Sequence, residues 1–299
     1  MIATTKPAAG VLMIAIEGQR RRNALDLDAF RALAAAWRAL EESQDARVGV
    51  VTGNGTDFCS GADLSGIASE IAGAARGGHP AAGIWRDIHG AVLRNAALTK
   101  PVVSAVEGIC FGAGMELVGA TDIRIAGESA RFALPEVRHG VIASGGSLAR
   151  LARQIAYAPA MQILLTGAEV SAARMAELGF VNEVVADGQA RDRAVAVARA
   201  IADNAPEAVR ATKRAVTSGL ATDLDAAYAI EDQISREILL GPEAAEGSRA
   251  FAAKRPPSWR LSRPLHGGGK IDSADQIGLD GRVVTRRERA APGCRQVSC

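Results

Sequence analysis

The sequence lacks the marks of several large functional classes. Its 35 Lys and Arg stand against 33 Asp and Glu, a formal charge of +2, so it carries no basic footprint for nucleic acid or a membrane surface. Cysteine is scarce, and Cys59, Cys110, Cys294 and Cys299 form no CxxC or other metal-ligand spacing. They read as reduced thiols of an intracellular protein. His79, His89, His139 and His266 are equally scattered, so no metal is expected. No stretch approaches the ~18 consecutive apolar residues of a membrane span. The opening MIATTKPAAG has no basic segment leading into an apolar run, and a soluble cytoplasmic protein is expected. GxSxG, HExxH, a P-loop and a GxGxxG following a strand are all absent, which argues against zinc and nucleotide-triphosphate enzymes. There is no sequence repeat.

What is present is an ordinary globular composition, 48% apolar and 23% charged over 299 residues, enough for a full core. Residues 11–16 read as a buried strand. Asp26 or Asp28 can cap a helix that carries Leu27, Phe30, Leu33, Trp37 and Leu40 as one apolar stripe. A strand over 47–52 ends in Gly53-Asn54-Gly55. A weakly patterned loop or irregular helix follows over 65–83, then a helix over 84–98 and a strand over 101–106. A short helix over 114–120 and strands over 122–126 and 130–133 complete a strand–helix rhythm that points to α/β. From Ser147 the pattern turns helical, with Ser171 capping a helix that Gly179 ends, strand-like FVNEVV, and helices over 189–203, 206–218, 223–240 and 243–253. Beyond Pro256-Pro257-Ser258-Trp259 periodicity is lost, and residues 261–299 are expected to be disordered.

Two glycine-bearing turns stand out. Phe58-Cys59-Ser60-Gly61-Ala62-Asp63-Leu64 follows the strand at 47–52. Gly108-Ile109-Cys110-Phe111-Gly112-Ala113-Gly114-Met115-Glu116-Leu117 follows the strand at 101–106. Each is a strand-to-helix turn, where backbone N–H groups are free. Taken singly, each is a tight loop needing small residues. Facing one another, they would make an oxyanion hole.

FCSGADL, KPVVSAVEG from Lys100 to Gly108, GAGMEL and TDIRIAGESARFALPEVRHG occur in this order, followed by LLTGAEVSAARMAELGFVNEVV. In these motifs the chain resembles the enoyl-CoA hydratase/isomerase (crotonase) family from about Val11 to Trp259. The resemblance implies an α/β spiral of ββα turns over residues 1–200 that holds an acyl-CoA site. It implies a helical region over 201–260 for oligomerisation, as a homotrimer or a dimer of trimers, and for covering the coenzyme A. It also implies Glu116 and Glu136 as the acid/base pair, and the N–H groups of Ala62 and Ala113 as the oxyanion hole. Arg22, Ala24, Ser60, Asp63, Leu64, Ser65, Gly114 and Lys254 are the implied substrate and coenzyme A contacts. No resident cofactor is implied, because coenzyme A is part of the acyl-CoA thioester substrate.

Both carboxylates are retained, and family members that isomerise, hydrolyse or decarboxylate commonly lack one. Hydration of a trans-2-enoyl-CoA to the 3-hydroxyacyl-CoA is therefore the expected activity. A 3-enoyl to 2-enoyl isomerase is the nearest rival. A non-catalytic acyl-CoA-binding protein, and a serine hydrolase using Ser104 with His89 or His139, are the others. The family usually has glycine where Ala113 stands, which is tolerable if residue 113 has no need of a positive φ. It often has proline at the position of Ala143, in a segment that shapes the acyl pocket.

Overall fold

Strands buried on both faces need near-continuous apolar runs, and this chain supplies several. The computed structural model describes residues 1–18, 21–63, 65–67, 69, 82–94, 98–261, 276–277 and 283–284. Its larger sheet contains β1 (Ile2–Ala8), β2 (Val11–Ile16), β3 (Val48–Gly53), β4 (Val102–Val106), β6 (Ile123–Gly127) and β9 (Glu183–Val185), in that order. All neighbours are parallel except β1 and β2. A second sheet joins β5 (Ile109–Phe111), β7 (Arg131–Ala133) and β8 (Val170–Ser171). The chain alternates between them, β4 then β5, β6 then β7, β8 then β9, which makes the expected α/β spiral.

Isolated bridges extend the smaller sheet. Leu25 pairs in parallel with Ala62, and Cys59 with Cys110. Cys110 is in turn abreast of Phe132, and Phe132 of Val170. This column of short segments carries both glycine turns.

Ten helices are described. They are α1 (Leu27–Glu42), α2 (Ala82–Ala91), α3 (Ala113–Val118), α4 (Ser147–Gln154), α5 (Tyr157–Thr166), α6 (Ala172–Glu177), α7 (Ala190–Ala202), α8 (Pro206–Gly219), α9 (Leu224–Leu239) and α10 (Pro242–Ala252). One core lies between the sheets and α1, with Phe30, Leu33, Trp37, Phe58, Met115, Phe132 and Phe180. A second lies on the other face of the large sheet, where Ala190, Ala194, Val197 and Ala198 of α7 meet Val48, Val50, Val103 and Ile125.

Asp26, and not Asp28, caps α1, its Oδ1 accepting from the Ala29 N–H at 2.8 Å. The helix expected over 84–98 ends at Ala91: Leu93 turns to φ +55 and Arg94 N–H donates to His89 O. β1 was not expected. It is an edge strand whose residues are partly or fully exposed, so it carries no apolar alternation. The short strand β5 lies inside the second glycine turn, and α3 begins one residue early, at Ala113.

The chain divides into two units, Met1–Ser262 and Arg263–Cys299. In the second, Gln276–Ile277 pairs antiparallel with Val283–Val284. Leu261, the first residue of the segment expected to be disordered, is instead half-buried against the second core, its carbonyl accepting from Arg199 at 3.0 Å; the rest of that segment lies outside the described residues, as does most of 65–83. Among the described residues no helix is long and apolar enough to cross a membrane.

A buried cation fastens the end of the α3 segment to the loop before β9. Arg124 donates to Val118 O at 2.9 Å, Thr121 O at 2.9 Å and Phe180 O at 3.0 Å, and its guanidinium stacks 4.6 Å over the Phe180 ring. Burial pulls its pKa down to about 10. Arg124→Met fills similar space but leaves the Thr121 and Phe180 carbonyls without this donor, while Val118 O keeps the Thr121 N–H and Oγ1. At ~1–3 kcal/mol per buried unpaired group, and with partial relaxation, the loss expected in urea unfolding is about 2–4 kcal/mol. A loss below ~1 kcal/mol would show that water replaces the guanidinium freely.

Candidate active site

The first turn is held from two sides. Cys59 N–H donates to Ile109 O, and Phe111 N–H donates to Cys59 O, both at 2.9 Å. On the opposite side Ser60 N–H donates to Arg22 O, Leu25 N–H to Gly61 O and Asp63 N–H to Leu25 O. In a parallel bridge of this kind Leu25 uses both its backbone groups, and those of Ala62 point away from it. The Ala62 amide is therefore turned outward by the bonds on either side.

The second turn comes within van der Waals reach of the first. Gly61 has φ +105, and a Cβ there would lie 3.6 Å from the Ala113 nitrogen. Ala113 is the first residue of α3, so its N–H has no partner inside the helix. The positive φ, +52, falls on Gly112 and not on residue 113, so alanine is accommodated. The structure thus brings the amide-bearing residues Ala62 and Ala113 to one place.

Two carboxyls converge on the same spot. Glu116 lies one turn into α3 and is buried, and its Oε1 accepts from the Gly145 N–H at 2.7 Å. A Cβ on Gly145 would lie 2.4 Å from Glu116 Oε2, so only glycine fits there. Glu136 sits in the single-turn helix Pro135–His139, half-buried. A Cβ on Gly112 would lie 3.3 Å from its Oε1, while its Oε2 is buried and takes no hydrogen bond from the described residues.

A profile of the enoyl-CoA hydratase/isomerase family matches residues 6–262. The chain belongs to that family. It is 37% identical over 251 residues to enoyl-CoA hydratase EchA19 of Mycobacterium tuberculosis, covering 83% of this chain and 92% of the relative. It is 33% identical over 267 residues to mevalonyl-coenzyme A hydratase sidH of Aspergillus fumigatus, covering 86% and 94%. Among solved structures, an enoyl-CoA hydratase from Bacillus anthracis is 32% identical with a TM-score of 0.79, covering 87% of this chain and 98% of that one.

The other residues singled out in this family member divide into those near the turns and those elsewhere. Ser60, Asp63, Ala24 and Gly114 belong to the paired segments, and Ser65 Oγ donates to Asp63 Oδ1 at 2.9 Å. Gly114 packs directly on Cys59. Arg22, at φ +61, is exposed, with Nε 3.9 Å from Asp57 Oδ2. Leu64 lies outside the described residues. Lys254 is exposed just after α10, and among the described residues no hydrogen bond or ion pair links its side chain to either turn. The serine-hydrolase set does not assemble: Ser104 is fully buried, with its Oγ against Thr121 and Ile123, while His89 bonds to Arg94. No hydrogen bond joins Ser104 to His89 or to His139.

Three residues were missed from sequence. Asn23, buried at φ +56, accepts from Gly18 N–H and donates from Nδ2 to the carbonyls of Asn54 and Asp57. It thereby holds the Arg22–Leu25 segment against the first turn. Gly145 and Arg150 shape the pocket of Glu116. An asparagine before an apolar run and a Gly-Gly pair were the signals available, and neither specifies a partner.

Burial raises Glu116 to about 7, and the charge of Glu136 pushes the same way. The Gly145 and Ser147 amides and the Arg150 charge pull it back. Burial also raises Glu136, against its own backbone N–H and the nearby His139. For Glu116 the folded value lies above the unfolded one, so between pH 4.5 and about 7 the folded state keeps a proton that the unfolded chain has released. Stability from this group therefore falls as pH rises through that window, by about 3 kcal/mol. Glu116→Gln removes the loss. Urea unfolding should show the variant gaining on the parent by about that amount between pH 4.5 and pH ~8. A pH-independent difference would contradict the raised value.

Proposed function

We propose that this protein is an enoyl-CoA hydratase that adds water reversibly and in syn fashion to a trans-2-enoyl-CoA, giving the 3-hydroxyacyl-CoA. The observation that carries the reading is the convergence of two raised carboxyls, one with an unbonded oxygen, on the place where the Ala62 and Ala113 amides meet. The hydratases among the relatives support it.

In this mechanism the thioester oxygen lies between the Ala62 and Ala113 N–H groups, which stabilise its charge as the double bond is attacked. Glu116, fixed by amides, orients the water and takes its proton as the oxygen bonds to C3. Glu136 is the main proton-transfer residue and delivers a proton to C2. Like charges this close favour a pair that holds one proton between them, and that is the state the reaction uses. One carboxyl accepts while the other gives, and a proton exchange restores them. Gripping the water from two sides removes the entropy of finding it.

No resident cofactor is part of this proposal, because coenzyme A arrives with the substrate. Its pantetheine and adenine path would border Arg22, Ala24, Ser60, Asp63, Leu64, Ser65 and Gly114, with Lys254 reaching a phosphate in its own or a neighbouring subunit. We further propose a homotrimer or a dimer of trimers. Large exposed apolar side chains on and just after the C-terminal helices support it, among them Leu220 at 74%, Leu240 at 89% and Phe251 at 88% exposure. A reducing, cytoplasmic setting belongs to the same reading and is supported by the buried unpaired thiols of Cys59 and Cys110.

Trans-2-enoyl-CoA thioesters of varied length, followed by loss of enoyl absorbance, test the activity. Glu116→Gln should lower kcat by ~10²–10⁴. A variant that keeps hydration within ~10-fold of the parent removes Glu116 from the mechanism. Double-bond migration from a 3-enoyl-CoA without hydration would establish the isomerase instead.

A further inference from the structure

The charge state of Glu116 depends on a turn whose geometry the reaction scheme leaves unexplained. Gly146 precedes α4 at φ +121 with no side chain to cap the helix. Four residues on, Arg150 folds back over this turn: a Cβ on Gly146 would lie 2.5 Å from its Nη1. Its Nη2 donates to Leu93 O at 2.7 Å, and its Nη1 to Gly145 O at 3.5 Å. Leu93 is the left-handed residue that terminates α2. One guanidinium therefore joins the end of α2 to the start of α4.

The residue it grips at Gly145 is the one that holds Glu116. The Gly145 N–H donates to Glu116 Oε1 while its C=O accepts from Arg150. The glycine is thus held on both sides, by the carboxylate at its N–H and by the guanidinium at its C=O. Among the described residues no carboxylate pairs with Arg150 within ion-pair distance. The acid that faces it is Glu116, and Arg94 faces it as a like charge. From the other side Glu116 meets Glu136, which itself faces His139.

We infer that Arg150 is the positioning residue for Glu116: it locks the Gly145–Gly146 turn against the carboxyl and supplies the cation that lets it ionise while buried beside Glu136. Glu116 and Arg150 also line one small cavity with Ser147 and Gln154, so little solvent separates them to screen the charge. The inference deepens the hydratase reading and rests on it only for its catalytic consequence.

The test is the protonation midpoint of Glu116, followed by the carboxyl stretch in infrared difference spectra of the full chain, with Glu116→Gln as the blank. Arg150→Gln keeps hydrogen-bond donors but removes the charge, and should raise the midpoint by about one pH unit. Arg150→Lys keeps the charge and should leave it within a few tenths of a unit of the parent. The acid limb of kcat should move with the midpoint in both variants. Arg150→Met serves as a second neutral substitution should the glutamine variant fold poorly. An unmoved midpoint in a folded neutral variant, or equal shifts in the lysine and glutamine variants, overturns the inference. The midpoint is read without turnover. A protein that hydrates no enoyl-CoA yet shows the shift would lose the proposed function alone, and an active hydratase with an unmoved midpoint would lose this inference alone.

Discussion

Gly114 has no room for a side chain. A Cβ there would lie 2.8 Å from the Cys59 carbonyl oxygen and 2.9 Å from the Cys59 Cβ, closer than atoms of folded proteins approach. This contact sets the separation of the two turns, because Cys59 belongs to the first and Gly114 to the helix that opens from the second. The parallel bridge between Cys59 and Cys110 fixes their direction, and the buried cores on both sides of the strands keep them there. The amides of Ala62 and Ala113 meet because the backbone beneath them cannot spread.

The same rigidity gives two chemically identical side chains different surroundings. Glu116 is enclosed and bonded to Gly145, and a cation stands behind that glycine. Glu136 is half-buried on a single turn, with one oxygen left without a partner. Removing carboxyls from water raises both, and proximity adds to the effect on Glu116. Unequal environments are what allow a matched pair to divide acid and base duties.

Much of this was legible in the sequence where one residue type answers to one physical demand. The apolar runs at Val11–Ile16 and Val102–Val106 could only be buried strands, and Ser171 before Ala172 does cap α6. Glu116, Glu136 and the two turns were found through motif order, and the structure brings all four together. Elements set by their surroundings were harder to see. β1 exists because β2 offers it an edge, and its own exposed residues show no pattern. α2 ends at Ala91 because Leu93 takes a left-handed turn, and no glycine marks the place. Asn23, Gly145 and Arg150 act through partners 29 or more residues away, such as Asn54, Glu116 and Leu93, and spacing along the chain carries no trace of such pairings.

The left-handed backbone at the second turn is confined to Gly112, which frees residue 113 to carry a β-carbon. Alanine at that position restricts the denatured chain more than glycine does, an entropic gain of about 0.4–1 kcal/mol. Because residue 113 is itself buried in the core, glycine there would fit but give back that entropy, while a side chain larger than alanine would have to displace its neighbours.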